Sequence, residues 1–246
     1  MPSVLIIGAT SGIGRALATE FARHGHDLVL AGRDLRELQA TASDLTLRHN
    51  VRASAQKFDV LAFDEQPEAL EACLRDGSQP LDGVVMCSGY LASPVATWKD
   101  AEEARRVLDT NLTGCVLALN LIADRFEARR RGFICVVSSV AGDRGRQSNY
   151  VYGAAKAGLS AYVEGLRQRL FRSGVRVVTI KPGYVDTPMT YGRPGLFLVA
   201  SAESVAASIF AAIERGKDVA YVPWFWRPIM FVVRTMPEWL FKRLRL

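Results

Sequence analysis

Residues 4–14 read Val-Leu-Ile-Ile-Gly-Ala-Thr-Ser-Gly-Ile-Gly, and this stretch decides the fold. The four apolar residues predict a buried strand, and the segment after the glycines has helical periodicity. Gly8 permits a tight turn, Gly12 lets the backbone approach a pyrophosphate at the helix N-terminus, and Gly14 lets that helix pack closely. Glycines alone also occur in ordinary turns, but a glycine loop between a strand and a helix is typical of a dinucleotide-binding unit.

The rest of the chain alternates short apolar runs with segments of helical periodicity. The apolar runs predict strands at residues 4–7, 27–30, 53–58, 83–86, 133–137, 175–180 and 219–222. Helical periodicity predicts helices at residues 13–24, 35–48, 67–74, 101–108, 112–129, 152–172 and 202–215. Because non-alternating strands are typical of sheets covered on both faces, we predict an α/β fold, a Rossmann-type doubly wound parallel sheet of about seven strands with helices on both faces. This domain is expected to span residues 1–222, followed by an extension at residues 223–246.

Length and composition indicate a globular protein with one core. The 246 residues are 49% hydrophobic and 23% charged, which is too apolar for a disordered chain. We expect no signal peptide and no membrane span, because there is no basic leader and no apolar run near the roughly 20 residues that a span needs. The cysteines lack ligand or disulfide spacing, so we expect reduced thiols, a cytoplasmic location and no metal site. They are Cys73, Cys87, Cys115 and Cys135.

The end of the second predicted strand bears on the choice between NADP(H) and NAD(H). An acidic residue there accepts from the ribose 2′-hydroxyl of NAD(H), whereas an arginine suits the 2′-phosphate of NADP(H). Residues 30–34 read Leu-Ala-Gly-Arg-Asp, so Arg33 favours NADP(H). NAD(H) stays open, because Arg33 is otherwise a solvated residue before a helix. Asp59, after the third strand, is a candidate acceptor for the adenine amino group or, equally, a cap.

Three polar residues after the fifth strand form a candidate catalytic set. Ser139 follows this strand, and Tyr152 and Lys156 are spaced i, i+4, which places them on one face of a helix. Carbonyl reduction needs a proton donor, and a tyrosine hydroxyl, with an ordinary pKa of about 10, can serve when an ammonium favours the phenolate. The serine would polarise the carbonyl oxygen. A tyrosine and a lysine at this spacing are more often a surface pair, but the serine and the glycine loop favour the catalytic interpretation.

Taken together, these motifs resemble the short-chain dehydrogenase/reductase family. The resemblance covers about residues 3–222 and rests on the glycine loop, Asn111-Leu112-Thr113-Gly114, Ser139, Tyr152, Lys156 and Lys181-Pro182-Gly183-Tyr184-Val185-Asp186-Thr187. It implies that Tyr152 is the acid/base, that Lys156 holds the ribose hydroxyls and favours the tyrosine phenolate, and that Ser139 binds the substrate oxygen. It further implies that Asn111 interrupts a helix and holds a water in a proton relay.

The resemblance also implies the residues around the cofactor, with the Pro-Gly segment and its following threonine at the nicotinamide end. The predicted cofactor-binding residues are Gly8, Thr10, Ser11, Gly12, Ile13, Gly14, Arg33, Asp59, Ser88, Gly89, Tyr152, Lys156, Pro182, Gly183, Val185 and Thr187. The predicted catalytic residues are Asn111, Ser139, Tyr152 and Lys156, with Ser138 as the alternative to Ser139 if the register differs by one.

The chain departs from the family pattern at two places. Ile7 stands where the family usually has a threonine, and Met86-Cys87-Ser88-Gly89 stands where it usually has Asn-Asn-Ala-Gly. The missing asparagine amides would brace the central sheet or touch the adenosine ribose. These departures mark a divergent branch and leave the reacting groups intact.

The C-terminal extension combines aromatic, aliphatic and basic residues. Residues 227–246 hold five basic residues and one acid, so they carry +4 of the net charge of +6, and three of the four tryptophans lie in residues 224–246. This composition suits a peripheral membrane contact through residues 224–246, because tryptophan lies at headgroup level and cations meet anionic lipid. A lid over the substrate cleft and a subunit contact are the alternatives.

A narrower resemblance concerns the substrate. Residues 143–153 and 237–243 look like the reductase subunits of decaprenyl-phosphoryl-ribose 2′-epimerase and their bacterial relatives. That family reduces a 2-keto sugar carried on a polyprenyl phosphate, which implies a lipid-linked ketone here, with Arg144 and Arg146 near its phosphate. A small-molecule ketone is the alternative.

The sequence therefore predicts an NADP(H)-dependent oxidoreductase that reduces a ketone to a secondary alcohol. A 3-ketoacyl or steroid-type reductase and a cofactor-binding regulatory protein without turnover are the alternatives. Nucleic-acid binding is not expected, because the basic residues are concentrated in an apolar tail. The helical patterns at residues 112–129 and 152–172 resemble those through which family members pair, so we expect a homo-oligomer.

Overall fold

The computed structural model describes residues 2–76, 80–192 and 195–244, and its centre is a seven-stranded sheet. The strands are β1 (Ser3–Ile7), β2 (Asp27–Gly32), β3 (Ala53–Lys57), β4 (Gly83–Met86), β5 (Phe133–Val137), β6 (Arg176–Pro182), β7 (Val185–Asp186), β8 (Ala200–Ser201) and β9 (Val219–Val222). The sheet order is β3-β2-β1-β4-β5-β6-β9, and every strand in it is parallel to its neighbours, whereas β7 and β8 form a separate parallel pair. The strand order reverses between β1 and β4, as in doubly wound sheets. The predicted α/β fold is confirmed.

Helices connect the strands and cover both faces of the sheet. They are α1 (Gly12–Arg23), α2 (Leu35–His49), α3 (Gln66–Arg75), α4 (Pro94–Lys99), α5 (Ala101–Leu108), α6 (Gly114–Arg129), α7 (Tyr150–Phe171), α8 (Ala202–Glu214), α9 (Trp226–Thr235) and α10 (Glu238–Phe241). The sequence patterns did not predict α4, because its six residues bury no side chain and offer no apolar period. They also placed the start of α7 two residues late, at residue 152.

The apolar run in β1 serves two hydrophobic cores at once. Val4 and Ile6 join the core that includes α1 and α8, while Leu5 and Ile7 join the core that includes α6 and α7. All four side chains are fully buried. Because successive side chains of a strand point to opposite faces, a strand covered on both faces must be apolar throughout.

The helical run Ala101–Arg129 contains a π-helical turn at Asp109–Thr113 between α5 and α6. Asn111 lies on this turn and is fully buried. In the described part of the chain, this run alone is long and apolar enough to cross a membrane by length and composition. Half of its apolar window is buried inside the protein, which is typical of a core helix.

The C-terminal extension folds back onto the domain. Pro228 lies in the first turn of α9 and Pro237 precedes α10, so both prolines stand where a helix tolerates the missing N–H. Trp226 and Met230 on α9 are buried and form a small apolar cluster with Val140, near the end of β5. The division of the chain into a domain and an extension at residue 222 stays a prediction.

Candidate active site

Two cavities lie at the carboxyl edge of the sheet. The first, here named the Tyr152 cavity, has a volume of about 310 Å³ and is lined by Ser139, Tyr152 and Lys156 among others. The second, named the Arg33 cavity, has a volume of about 260 Å³ and is lined by Arg33 and Asp59 among others. Both are lined by Thr10, Ser11, Cys87, Ser88 and Gly89. The two cavities therefore form one groove at the strand-order reversal, where open parallel sheets bind ligands.

The glycine loop is shaped by its own hydrogen bonds. Gly8 has φ of 85°, a conformation that strains residues with a side chain, and a Cβ there would lie 2.9 Å from the Cys87 backbone. The Ser11 hydroxyl donates to the Gly8 carbonyl at 2.7 Å and accepts from the Gly14 N–H at 3.0 Å, which caps α1. The loop thus places the N-terminus of α1 at the groove, an environment that favours a pyrophosphate.

The other two glycines of the loop make different contacts. Gly12 lines the Tyr152 cavity, and a Cβ there would lie 2.6 Å from Cγ2 of Thr187. Gly14 lines neither cavity, and a Cβ there would overlap the Gly8 carbonyl oxygen. Gly14 therefore sits behind the groove, where it permits close packing of α1 on the loop. Ile13, the residue between them, lines the Tyr152 cavity.

The Arg33 cavity holds the two predicted polar residues and two that the sequence analysis did not single out. Arg33 is exposed, and the Asp59 carboxylate accepts from the Leu61 N–H at 3.0 Å, so Asp59 both lines the cavity and stabilises a turn. Tyr90 and Arg106 also line the cavity, with the Arg106 guanidinium carbon 4.6 Å from the centroid of the Tyr90 ring. The lining therefore contains two arginines and one acid, a balance that favours a phosphate.

Asn111 braces the floor of the groove through its side chain. Its Nδ2 donates to the carbonyl oxygens of Val107 at 2.8 Å and Tyr90 at 2.6 Å, and its Oδ1 accepts from the Tyr90 N–H at 3.1 Å. A Cβ on Gly89 would lie 3.3 Å from this Oδ1 and 3.8 Å from Nζ of Lys156, so Asn111 lies close to the lysine. Asn111 lines neither cavity, and its role in a proton relay stays a prediction.

The two serines after β5 both line the Tyr152 cavity, but their hydrogen-bond partners differ. The Ser138 hydroxyl is buried and contacts the Lys156 carbonyl oxygen at 3.1 Å and the Ser160 hydroxyl at 2.7 Å, which ties β5 to α7. Ser139 is half-buried and caps the 3-10 turn Val140–Gly142, where its Oγ accepts from the Ala141 N–H at 3.1 Å. Since a hydroxyl that accepts from the backbone keeps its own proton for another partner, the geometry favours Ser139 as the residue that meets a ligand.

Tyr152 and Lys156 project from the first two turns of α7 into the same cavity. Lys156 is buried, and its Nζ donates to the Val137 carbonyl oxygen at 3.1 Å. This Nζ lies 5.9 Å from the centroid of the Tyr152 ring. The backbone of β5 therefore positions the ammonium beside the tyrosine.

The segment after β6 connects the groove to the extension. Pro182, Gly183, Val185 and Thr187 all line the Tyr152 cavity, and their contact with the nicotinamide end of a cofactor stays a prediction. A Cβ on Gly183 would overlap the indole ring of Trp226. Gly183 is therefore needed for the close approach of α9 to this segment.

Arg144, which we expected near a substrate phosphate, holds the extension instead. Its Nη1 donates to the carbonyl oxygens of Val233 and Met236, at 2.6 Å each. Its Nη2 pairs with the Glu238 carboxylate at 2.8 Å, and its guanidinium carbon lies 3.8 Å from the centroid of the Phe241 ring. Arg144 does not line the cavity, and the expectation for this residue was wrong because its four partner groups in the extension cannot be located from local sequence.

A cluster of polar side chains around Asp143 anchors the turn that follows Ser139. Asp143 accepts from Nζ of Lys181 at 2.5 Å and from the Tyr221 hydroxyl at 2.7 Å. Burial, together with the hydrogen bond to Asp143, raises the pKa of Tyr221 to about 12. The cluster joins the serine turn to β6 and β9 beneath the extension.

The four cysteines are free and buried, as predicted for reduced thiols. Burial raises the pKa of Cys87 to about 12 and that of Cys115 to about 11. Both thiols are therefore protonated and unreactive at neutral pH.

Several residues of the groove were not predicted to belong to it. Arg106 and Thr110 both line the Arg33 cavity, and their i, i+4 spacing in a predicted helical region was an available signal. Asn149, Met189 and Thr190 line the Tyr152 cavity. Met189 and Thr190 lie in an irregular segment between β7 and β8, for which sequence patterns give no direction.

Comparisons with known proteins agree with this geometry. A family model described as short chain dehydrogenase matches residues 2–194. An uncharacterized oxidoreductase from Streptomyces coelicolor is 36% identical over 244 residues, which cover 98% of this chain and 95% of the relative. The structure of a short-chain dehydrogenase from Sphingobium yanoikuyae in complex with NADPH is 28% identical, covers 97% of each chain and has a TM-score of 0.82. A 3-oxoacyl-[acyl-carrier protein] reductase from Brucella melitensis with bound NAD is 26% identical, with a TM-score of 0.77 over 90% of this chain and 89% of that one.

The fold, the groove and the catalytic motif agree with these similarities. The family match covers most of the chain, and the relative of 36% identity covers nearly all of it. The protein therefore belongs to the short-chain dehydrogenase family and is an NAD(P)-dependent oxidoreductase.

Proposed function

We propose that the protein uses NADPH to reduce a ketone to a secondary alcohol, with Tyr152 as the proton donor. One observation carries this proposal: Ser139, Tyr152 and Lys156 line one cavity, and this cavity joins the one that holds Arg33. A site with both parts can hold a dinucleotide along the groove and a carbonyl compound beside the tyrosine.

The groove fits such a cofactor. Gly8 and Gly12 keep the loop free of side chains where the N-terminus of α1 would hold the pyrophosphate. Arg33 would hold the phosphate of the adenosine ribose, and Lys156 would hold the hydroxyls of the nicotinamide ribose. Bound reduced nicotinamide supplies a hydride to the carbonyl carbon.

Three side chains of the protein would polarise and protonate the carbonyl oxygen of the substrate. The Ser139 hydroxyl, which accepts from the Ala141 N–H, donates its own proton in a hydrogen bond to this oxygen and polarises it. As negative charge develops there, the Tyr152 hydroxyl transfers its proton to the oxygen, which gives the alcohol. The Lys156 ammonium, held by the Val137 carbonyl, stabilises the phenolate that remains.

NADP(H) is the favoured cofactor, and NAD(H) is the alternative. Arg33 and Arg106 line the adenosine end of the groove, where Asp59 is the one acid among the described lining residues. A 2′-phosphate would balance these positive charges, whereas a 2′-hydroxyl would not. The NADPH complex of the relative from Sphingobium yanoikuyae supports this choice, and the NAD complex of the Brucella melitensis protein supports the alternative.

For the substrate we propose a polyprenyl-phosphate-linked 2-keto sugar. The protein would meet this substrate at the cytoplasmic surface of a membrane. The outward side of the extension supports this proposal, because Trp224, Phe231 and Trp239 are exposed there together with Arg227 and Arg243. Exposed aromatic rings among cations suit the interface of an anionic membrane. We also propose a homo-oligomer, since α6 and α7 expose apolar side chains.

The experiment that tests the function measures oxidation of NADPH and NADH by purified protein with a panel of ketones. The panel contains a polyprenyl-phospho-2-keto-pentose in anionic vesicles, a 3-ketoacyl thioester, a steroid ketone and small ketones. We expect NADPH consumption with the lipid-linked sugar and sedimentation of the protein with the vesicles. Turnover with the thioester or the steroid alone would instead assign a 3-ketoacyl or steroid-type reductase.

The Tyr152→Phe variant separates an enzyme from a cofactor-binding regulator. Removal of the hydroxyl removes the proton donor but not the ring, so we expect kcat to fall by about 100-fold or more with an unchanged Kd for NADPH. Fluorescence titration of NADPH measures the Kd, and loss of absorbance at the nicotinamide band measures kcat. A variant with full turnover would contradict the role of Tyr152.

A further inference from the structure

The Tyr152 cavity contains a positive charge without a partner in the described part of the protein. Arg146 lines this cavity, and its Nε is buried there without a hydrogen-bond partner. Within residues 2–76, 80–192 and 195–244, no carboxylate forms an ion pair with this guanidinium. The fold thus places Arg146 in the cavity, but its guanidinium does not hold any described part of the protein together.

The remaining lining of the cavity does not balance this charge. None of the described lining residues is an aspartate or a glutamate. The second cation of the cavity is Lys156, whose Nζ donates to the Val137 carbonyl oxygen and serves Tyr152. Much of the other lining is apolar, including Leu91 and Val140. Since an arginine beside apolar walls is stabilised by a hydrogen-bonded anion, the cavity favours an anionic ligand.

Asn149 supplies a second polar group without a partner in the same cavity. It occupies the N-cap position of α7, where an asparagine side chain usually bonds the helix backbone, yet its side chain makes no such bond. Its Oδ1 is buried and has no hydrogen-bond partner. The amide lies three residues after Arg146 and three residues before Tyr152, so it stands between the cation and the proton donor along the chain.

Arg144, two residues before Arg146, shows that an arginine in this segment does not generally lack partners. Arg144 has two carbonyl oxygens, the Glu238 carboxylate and the Phe241 ring as partners. An arginine that holds the structure together is therefore two residues away from one whose Nε has no partner.

We infer, on the basis of the proposed reductase function, that Arg146 forms an anion subsite for the substrate, with the Oδ1 of Asn149 as a hydrogen-bond acceptor in the same cavity. The substrate is then a ketone that also carries a carboxylate or a phosphate. Its carbonyl lies at Ser139 and Tyr152, its anionic group accepts hydrogen bonds from the Arg146 guanidinium, and the unpartnered Oδ1 of Asn149 accepts from a hydrogen-bond donor of the substrate. The subsite determines which ketones are reduced and takes no part in the proton transfer.

The test compares ketones that differ only in charge. The substrates are ω-keto acids with two to six carbons between the groups, their methyl esters, and the corresponding ω-keto alkyl phosphates. We expect the wild-type protein to prefer an anionic ketone over its neutral counterpart by at least tenfold in kcat/KM, and the carboxylate and phosphate series show which anion fits. Equal values for acids, phosphates and esters would overturn the inference.

Three variants assign the preference to the subsite. Arg146→Met is expected to lower kcat/KM for the anionic ketone by about 10- to 100-fold, the range for a hydrogen bond to a charged group, mainly through KM. Arg146→Lys is expected to recover part of that loss. Asn149→Asp keeps a good N-cap residue but adds a negative charge, so it should lower kcat/KM for the anionic ketone more than kcat/KM for its methyl ester.

Arg172→Met is the matched control. Arg172 is exposed at the other end of α7, about 30 Å away at 1.5 Å per residue, and its removal changes net charge without touching the cavity. This variant should keep the preference for the anionic ketone. Retention of the preference by Arg146→Met, or a raised Kd for NADPH in that variant, would assign Arg146 to another role.

Failure of the inference is distinguishable from failure of the proposed function. If no ketone is reduced by the wild-type protein, the reductase function fails. Calorimetric titration of the same acids, phosphates and esters into the protein with NADP⁺ then still decides the subsite. Tighter binding of the anionic ligands, lost in Arg146→Met, would support it, and equal binding would overturn it.

Discussion

Ser138 and Ser139 are adjacent in the chain and both line the Tyr152 cavity, but their hydroxyls have different hydrogen-bond partners. Ser138 bonds the backbone and a side chain of α7 inside the core, and Ser139 caps a turn at the edge of the Tyr152 cavity. Successive residues of a strand end point to opposite sides, so a shift of one residue exchanges a hydroxyl that bonds α7 for the hydroxyl to which we assign the catalytic role.

Alanine at each serine is expected to separate these roles. Ser139→Ala removes the hydroxyl that would polarise the carbonyl and should lower kcat by about 100-fold or more, while the lost cap of the 3-10 turn should cost about 1 kcal/mol of stability. Ser138→Ala should cost about 1 to 3 kcal/mol of stability and leave most of the activity of the folded protein. Urea unfolding and steady-state kinetics on both variants measure the two effects, and the reverse pattern would move the catalytic role to Ser138.

Arg33 is expected to determine the cofactor preference. Arg33→Met removes the cation that would hold the 2′-phosphate, so KM for NADPH should rise by about 10-fold or more, while KM for NADH stays the same. Arg36→Met is the control, because Arg36 is exposed on the adjoining α2 and lines neither cavity. Equal effects of both variants, or equal effects on both cofactors, would remove Arg33 from the cofactor site.

At the scale of elements, the extension is attached to the active-site turn from two sides. Trp226 on α9 packs where Gly183 has no side chain, and Arg144 beside the serine turn bonds the ends of α9 and α10. The position of these two helices is therefore coupled to the segment that lines the Tyr152 cavity.

Gly183→Ala is expected to loosen this attachment. The added methyl group overlaps the Trp226 indole, and such overpacking typically costs about 1 to 3 kcal/mol. If α9 moves outward, Trp226 becomes more exposed to water, so a red shift of the tryptophan emission should accompany the loss of stability. Gly165→Ala is the matched control, because a Cβ there meets nothing within 4 Å and alanine is a better helix former in α7. If the Gly183→Ala variant is as stable as the wild type, α9 accommodates the added methyl group without a loss of stability.

At the scale of the whole molecule, the surface carries apolar side chains that the single chain does not cover. Leu117 and Leu121 on α6 and Phe171 at the end of α7 are exposed. Exposed apolar residues on two long helices suit a protein–protein interface. This surface supports the proposed homo-oligomer.

Light scattering after gel filtration is expected to give a multiple of the 27.0 kDa chain mass. The double variant Leu117→Glu and Leu121→Glu places charges on α6 and should yield monomers, because a buried unpaired carboxylate strongly disfavours an interface. Leu47→Glu on α2 is the control, since Leu47 is also exposed but lies on a different helix. A wild-type monomer would contradict the proposed assembly.

Sequence patterns predicted the sheet, most helices and the residues of the catalytic motif, but they predicted the surroundings of those residues less well. The positions of Tyr152 and Lys156 followed from helical spacing, and Gly8 followed from the turn that it must make. The sequence analysis expected Arg144 near the substrate, whereas its hydrogen-bond partners lie 89 to 94 residues away along the chain. Asn149 was not singled out, because nothing local shows that its side chain does not cap α7.

The sequence by itself determined the features that depend on near neighbours. The alternation of strands and helices, the glycine loop and the i, i+4 pair of α7 all follow from local periodicity and backbone conformation. The tertiary structure alone decided that the Ser138 hydroxyl bonds α7 whereas Ser139 caps a turn, that Arg144 holds the extension, and that Arg146 lines a cavity with no acid among its described lining residues. The physical reason is that burial and charge balance depend on groups brought together from distant parts of the chain, and a side chain's partners are determined only when those parts have packed.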